Sequence, residues 1–126
     1  MNCKKYLQES KRTCSKKHGV IKERIDSKTI DLLHAGMGLV TEAGEFLDAL
    51  KKHIYYGKDL DVVNLKEELG DSLWYLALAL RTLETDFDSV METNIKKLKI
   101  RYPEKFNEDK ANHRCLDKER QILEEK

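Results

Sequence analysis

Proline occurs once in this 126-residue chain and glycine six times. Those residues punctuate turns and sheets, so their scarcity leaves long helices as the simplest reading. Net charge is nearly absent too, with 24 lysines and arginines against 23 aspartates and glutamates. That balance lacks the uniform basicity of a nucleic-acid module and argues against such a partner. No apolar run approaches the ~20 residues that cross a bilayer. The longest, Leu73 to Leu80, reads as a helix buried on most sides. Met1-Asn2-Cys3-Lys4-Lys5 has charge but no apolar stretch behind it, so no signal peptide is expected. Cys3, Cys14 and Cys115 are odd in number, widely spaced and free of any C-x-x-C pattern. They offer neither a disulfide framework nor a Cys/His zinc site, and they suit a reducing cytoplasm.

What is present is 40% apolar and 37% charged residues, enough for one core in one domain. The charge is unevenly spread. Residues 1–24 carry eight basic and two acidic side chains, whereas residues 25–91 carry six basic and thirteen acidic. Residues 92–126 carry ten basic and eight acidic. An acidic centre between basic flanks is either a set of solvated helix faces or a metal site with cations at its edge for an anionic ligand.

Apolar periodicity places four or five helices, an all-α bundle around two long antiparallel rods. Residues 3–17 form a weak amphipathic helix ending near His18-Gly19. Asp26 or Ser27 caps a long helix to about Tyr56, whose apolar positions from Leu32 to Ile54 recur at three and four. Gly57 is its C-terminal stop. Asp59 or Asp61 opens the next helix, with Val62, Leu65, Leu69, Leu73 and Leu76 in its stripe. Thr85 or Asp86 caps a fourth helix to about Arg101, closed by Pro103. The core spans about 27–106, and 107–126 is a charged tail with a possible fifth helix. The short connection after Gly57 forces the two central helices to run antiparallel as neighbours.

Both central helices carry acidic pairs. Glu42 and Glu45 stand three apart on the first, and Glu68 and Asp71 three apart on the second. On an α-helix, i and i+3 share a face with Cβ atoms ~5–6 Å apart. Residues 46–67 are enough to finish one rod, turn and begin the return, so the pairs can meet across the seam. Each pair encloses a glycine, Gly44 and Gly70, where alanine would favour the helix by ~1 kcal/mol; close approach of backbone or ligand is the expected reason. Two carboxylates ~6 Å apart at an effective dielectric of ~20 repel by roughly 3 kcal/mol. Four converging acids therefore call for a cation, and oxygen-only ligands select Mg²⁺, with Mn²⁺ as substitute, over zinc. A di-iron carboxylate bundle needs two Glu-x-x-His motifs. This chain has only Asp31-x-x-His34.

The segments Leu39-Val40-Thr41-Glu42-Ala43-Gly44-Glu45-Phe46 and Glu67-Glu68-Leu69-Gly70-Asp71-Ser72-Leu73-Trp74-Tyr75 resemble those of the MazG-like all-α nucleoside triphosphate pyrophosphohydrolases. So does the later Asn94-x-x-Lys97-Leu98-x-x-Arg101-Tyr102-Pro103. The resemblance covers roughly residues 29–106 and is nearest to the compact, stand-alone forms, phage-carried ones included. It implies Mg²⁺-dependent cleavage of a (d)NTP between the α- and β-phosphates, giving a nucleoside monophosphate and pyrophosphate. Glu42, Glu45, Glu68 and Asp71 would hold metal; Asn94, Lys97, Arg101 and Tyr102 would sit near the phosphates or complete the pocket. Some members carry an acid immediately before the first motif glutamate as general base. Here that residue is Thr41, which leaves Glu45 as the expected residue for orienting water.

His34 lies eleven residues, about three turns, before Glu45 and so shares its face; with Trp74 it is a candidate for the nucleobase. Resemblance and broad apolar stripes together imply a homo-oligomer, dimer or tetramer. Two other readings compete: the same fold with dUTP/dCTP or phosphoribosyl-ATP specificity, or a non-catalytic helical interaction module using the basic N-terminus.

Overall fold

The computed structural model describes residues 2–124, so Met1 and the last two residues of the tail lie outside it. The described residues are all-α. Helix α1 spans Cys3–Ser10, α2 His18–Glu23, α3 Ser27–Tyr56, α4 Val62–Thr82, α5 Phe87–Arg101, α6 Glu108–Asn112 and α7 Leu116–Glu124.

The central boundaries lie where cap chemistry puts them. Asp26 accepts the Thr29 N–H at 2.7 Å to open α3, and that bond holds its carboxyl below the usual range. Gly57 closes α3 in the left-handed region at φ 66°, a conformation that costs glycine little. Lys58 N–H then returns to the Lys52 carbonyl, and the His53 ring N–H donates to the Lys58 carbonyl at 2.8 Å. Asp61 accepts from Asn64 N–H to open α4, and Asp86 accepts from Ser89 N–H to open α5. Of the alternatives posed by sequence, the residue whose side chain reaches the third following N–H is the cap each time.

The first predicted helix is broken. Helix α1 ends at Ser10, a 3₁₀ turn covers Lys11–Thr13, and α2 begins at His18, where an end was expected. Local side chains compete for the backbone here: Ser10 Oγ bonds the Leu7 carbonyl, Thr13 Oγ1 the Ser10 carbonyl, and Ser15 Oγ accepts from Lys17 N–H. The tail likewise divides into α6 and α7 rather than one helix.

Helices α3 and α4 pack along their lengths as an antiparallel hairpin, and α5 packs on α7. The interior of the hairpin is thin. Among the described residues the buried apolar side chains are Ala35 and Ala49, and no large side chain is fully enclosed. Leu33, Met37, Leu69 and Leu73 are each about half exposed along the two central helices. Among the described residues no helix is long and apolar enough to cross a membrane. Cys3, Cys14 and Cys115 are free and exposed.

Candidate metal centre and nucleotide site

Gly38 sets how the hairpin closes around its acids. It is buried on α3, and a Cβ there would run into the Tyr75 ring at Cδ1, Cε1 and Cζ. The missing side chain lets Tyr75 lie directly on the α3 backbone. In the same antiparallel register, one helical turn further along, Asp71 comes level with Glu42. By contrast, a Cβ at Gly44 or Gly70 would meet nothing within 4 Å. The close approach expected at those glycines is not found within one chain; it occurs at Gly38.

Glu42, Glu68 and Asp71 each present a carboxylate oxygen, all within 4.8 Å of one another. Glu68 is the buried member, only 4% exposed. Asn64, one turn earlier on α4, donates its amide to Glu68 Oε1 at 2.5 Å and fixes its orientation. Among the described residues no lysine or arginine forms an ion pair with any of the three. The Glu42 carboxyl is pushed above its ordinary value, first by partial burial, then by a hydrogen bond with Glu68 and the charges of Glu45, Asp71 and Glu68. A cation-free carboxylate set of this kind, with one buried and oriented member beside a half-buried and an exposed one, fits a hard divalent ion. Glu45, the fourth expected ligand, is exposed and lies outside the cluster of three, yet near enough for its charge to bear on Glu42.

Above the acids is an open cavity of about 380 Å³ lined by Glu42, Asp71, Trp74 and Tyr75. Of the lining rings, Trp74 and Tyr75 meet edge to face with centroids 5.0 Å apart, and His34, outside the lining, meets Tyr75 edge to face at 5.7 Å. Trp74 is 53% exposed, so a large aromatic face borders the acidic cavity. Thr41 has no base-like arrangement, because its hydroxyl donates to the Gly38 carbonyl at 2.8 Å.

The second motif group lies elsewhere within the chain. Asn94 and Lys97 line a separate cavity of about 480 Å³ with Thr85, Ser89 and Leu123. Arg101 is turned toward α7, where it pairs with Glu119, and its guanidinium lies 5.8 Å from the Tyr102 ring centroid. Tyr102 in turn packs against Phe106. One chain therefore does not bring Asn94, Lys97, Arg101 and Tyr102 to the acids.

Sequence reasoning passed over Asn64, Gly38 and Glu119. Asn64 had a usable signal, its i, i+4 spacing from Glu68. Gly38 and Glu119 act through tertiary partners and had none.

Comparison with known proteins bears on this geometry. The profile of the MazG nucleotide pyrophosphohydrolase domain matches residues 32–106, more than half of the chain, with the acidic cluster and Trp74 inside the match. The Gene 37 protein of Mycobacterium phage L5 is 36% identical over 77 residues, covering 56% of this chain and 65% of that protein. The aligned stretch is thus under two thirds of that relative's length. No solved structure matches the chain.

Proposed function

Since the chain belongs to the MazG nucleotide pyrophosphohydrolase family, we propose that it hydrolyses a nucleoside or deoxynucleoside triphosphate between the α- and β-phosphates, with Mg²⁺ as cofactor. The convergence of Glu42, Glu68 and Asp71 within 4.8 Å, without a basic partner among the described residues, carries this reading.

Glu42, Glu68 and Asp71 would hold the ion, with the Glu68 carboxylate fixed by the Asn64 amide. When bound, the cation supplies charge neutralisation for the triphosphate and acidifies water. Glu45, exposed beside the cluster, orients the attacking water. The water oxygen bonds to the α-phosphorus and its proton passes to solvent, while the bond from the α-phosphorus to the bridging oxygen breaks and pyrophosphate leaves with that electron pair. Trp74 offers a face on which a base can stack, and His34 sits at its edge.

The assembly is a homo-oligomer. A compact 14.7 kDa chain exposes about 6,900 Å², whereas this one exposes 10,978 Å². The excess, about 4,000 Å², is several times the ~800 Å² each partner buries in a standard interface. In such an assembly a second copy supplies cover for the hairpin faces and a route for Asn94 and Lys97 to reach a neighbour's acids.

Pyrophosphate release from a panel of nucleoside triphosphates with Mg²⁺ tests the reaction, with Asp71→Asn expected to be inactive but folded. Mg²⁺ should raise the melting temperature of the wild type by mass action and leave Asp71→Asn nearly unmoved. Metal binding without turnover of any nucleotide would remove the enzymatic claim. Sedimentation should give a mass of two or four chains, and a monomer at micromolar concentration would overturn the assembly.

A further inference from the structure

Where α5 meets the tail there is a basic cavity that lies almost wholly outside the family match. It holds about 190 Å³, and Arg101, Lys110, His113, Arg114 and Lys118 line it around Glu119. Glu119 is 3% exposed and accepts from two guanidinia at once. Its Oε1 receives Arg101 Nε at 2.9 Å, and its Oε2 receives Arg101 Nη2 at 2.5 Å and Arg114 Nη2 at 2.7 Å. One carboxylate thus fixes two arginines and neutralises only one of them. Most N–H donors of each guanidinium remain for another acceptor.

The rest of the wall adds to the surplus. Among the described residues neither Lys110 nor Lys118 has an ion-pair partner. The His113 ring uses Nδ1 on Asp109 at 2.9 Å, which leaves Nε2 without a protein partner among the described residues. Four permanent cations therefore surround a single buried carboxylate that is already saturated. Planar guanidinia held in place are suited to bidentate recognition of phosphate oxygens, and the volume suits a phosphate or diphosphate group rather than a whole nucleotide.

We propose that this cavity between α5, α6 and α7 is a second, metal-independent site for a phosphate-type polyanion, either free pyrophosphate or the phosphates of a nucleotide. Its occupant bridges Arg101 on α5 to Arg114 and Lys118 at the tail and so fastens α7 down. The site stands independently of the hydrolase reading, because none of the acidic cluster takes part.

Calorimetric titration of the full chain with pyrophosphate in EDTA, where the acidic cluster holds no cation, tests it. Binding is expected in the wild type and equally in Asp71→Asn. It should weaken at least tenfold in Lys110→Gln/Lys118→Gln, which leaves the Glu119 ion pairs in place, and at least as much in Arg114→Gln. A nucleoside diphosphate titrated alongside divides the two sources. Equal affinity assigns the site to free phosphates and tighter nucleotide binding to nucleotides, both in support. Absence of binding in EDTA, loss in Asp71→Asn, or an unchanged dissociation constant in folded Lys110→Gln/Lys118→Gln would each overturn the site.

Discussion

Gly38→Ala isolates the contact that registers the hairpin. In an exposed helix interior, glycine to alanine stabilises by about 1 kcal/mol. Gly36, two residues earlier, is such a position, with nothing within 4 Å of an added Cβ. At Gly38 the same methyl meets three atoms of the Tyr75 ring. Carbon atoms rest at about 3.5–4 Å, so the ring must shift by the better part of a bond length or more. Overpacking of this kind costs about 1–3 kcal/mol. The net expectation for Gly38→Ala runs from neutral to about 2 kcal/mol destabilising, against a gain of about 1 for Gly36→Ala. With roughly 3–5 °C per kcal/mol at this chain length, the two melting temperatures should separate by several degrees.

Removing the ring changes the sign. In a Tyr75→Ala background, Gly38→Ala should stabilise as Gly36→Ala does, and the cycle should return a coupling of about 1–3 kcal/mol. Thermal unfolding followed at 222 nm, at one fixed protein concentration, provides the measurement. Fluorescence of the single tryptophan, Trp74, reports the ring cluster directly. If Gly38→Ala proved as stabilising as Gly36→Ala with Tyr75 present, the close packing of Tyr75 on α3 would be wrong. The register placing Asp71 beside Glu42 would then lose its support.

Two further expectations concern the loop and the tail. Glu84 adopts φ 57°, a left-handed conformation costing a non-glycine residue about 1–2 kcal/mol; Glu84→Gly should raise the melting temperature by a few degrees, and a fall would contradict that backbone. Glu119 is held down to about 2 from an ordinary 4.5, first by its hydrogen bonds to Arg101 and then by those to Arg114. A depressed carboxyl contributes stability in full above its unfolded value and loses it as the folded form is protonated. Docking of α7 should accordingly weaken as pH falls from about 4.5 toward 2, and Glu119→Gln should flatten that part of the melting-temperature profile.

Much of this fold could be read from residue order because its boundaries are local events. Asp26, Asp61 and Asp86 each bond an N–H three residues on, and Gly57 takes a conformation set by its own lack of a side chain. The acidic cluster was legible for the same reason, since i, i+3 spacing on two neighbouring rods nearly determines it. Glu45 escaped that logic: spacing sets a shared helix face, but Asn64 anchors the carboxylate of Glu68 and the cluster closes with Glu42 and Asp71. The break between α1 and α2 depends on hydroxyl competition at Ser10, Thr13 and Ser15 that apolar periodicity does not register. Arg101 matched a motif, yet its partner Glu119 is 18 residues away on a different helix, beyond any local pattern.

The link between Gly57 and Asp61 makes chain length a determinant of chemistry. A residue inserted between Asp61 and Asp71 would turn everything beyond it by about 100° and advance it by ~1.5 Å. Asp71 would then swing off the meeting point even with every acid intact. An insertion at 58–60 falls in irregular backbone, which can bulge without rotating either rod. Descendants of this sequence should therefore vary freely in spelling and length at 58–60 while never changing the count from Asp61 to Asp71, a rule of spacing that substitution alone would never reveal.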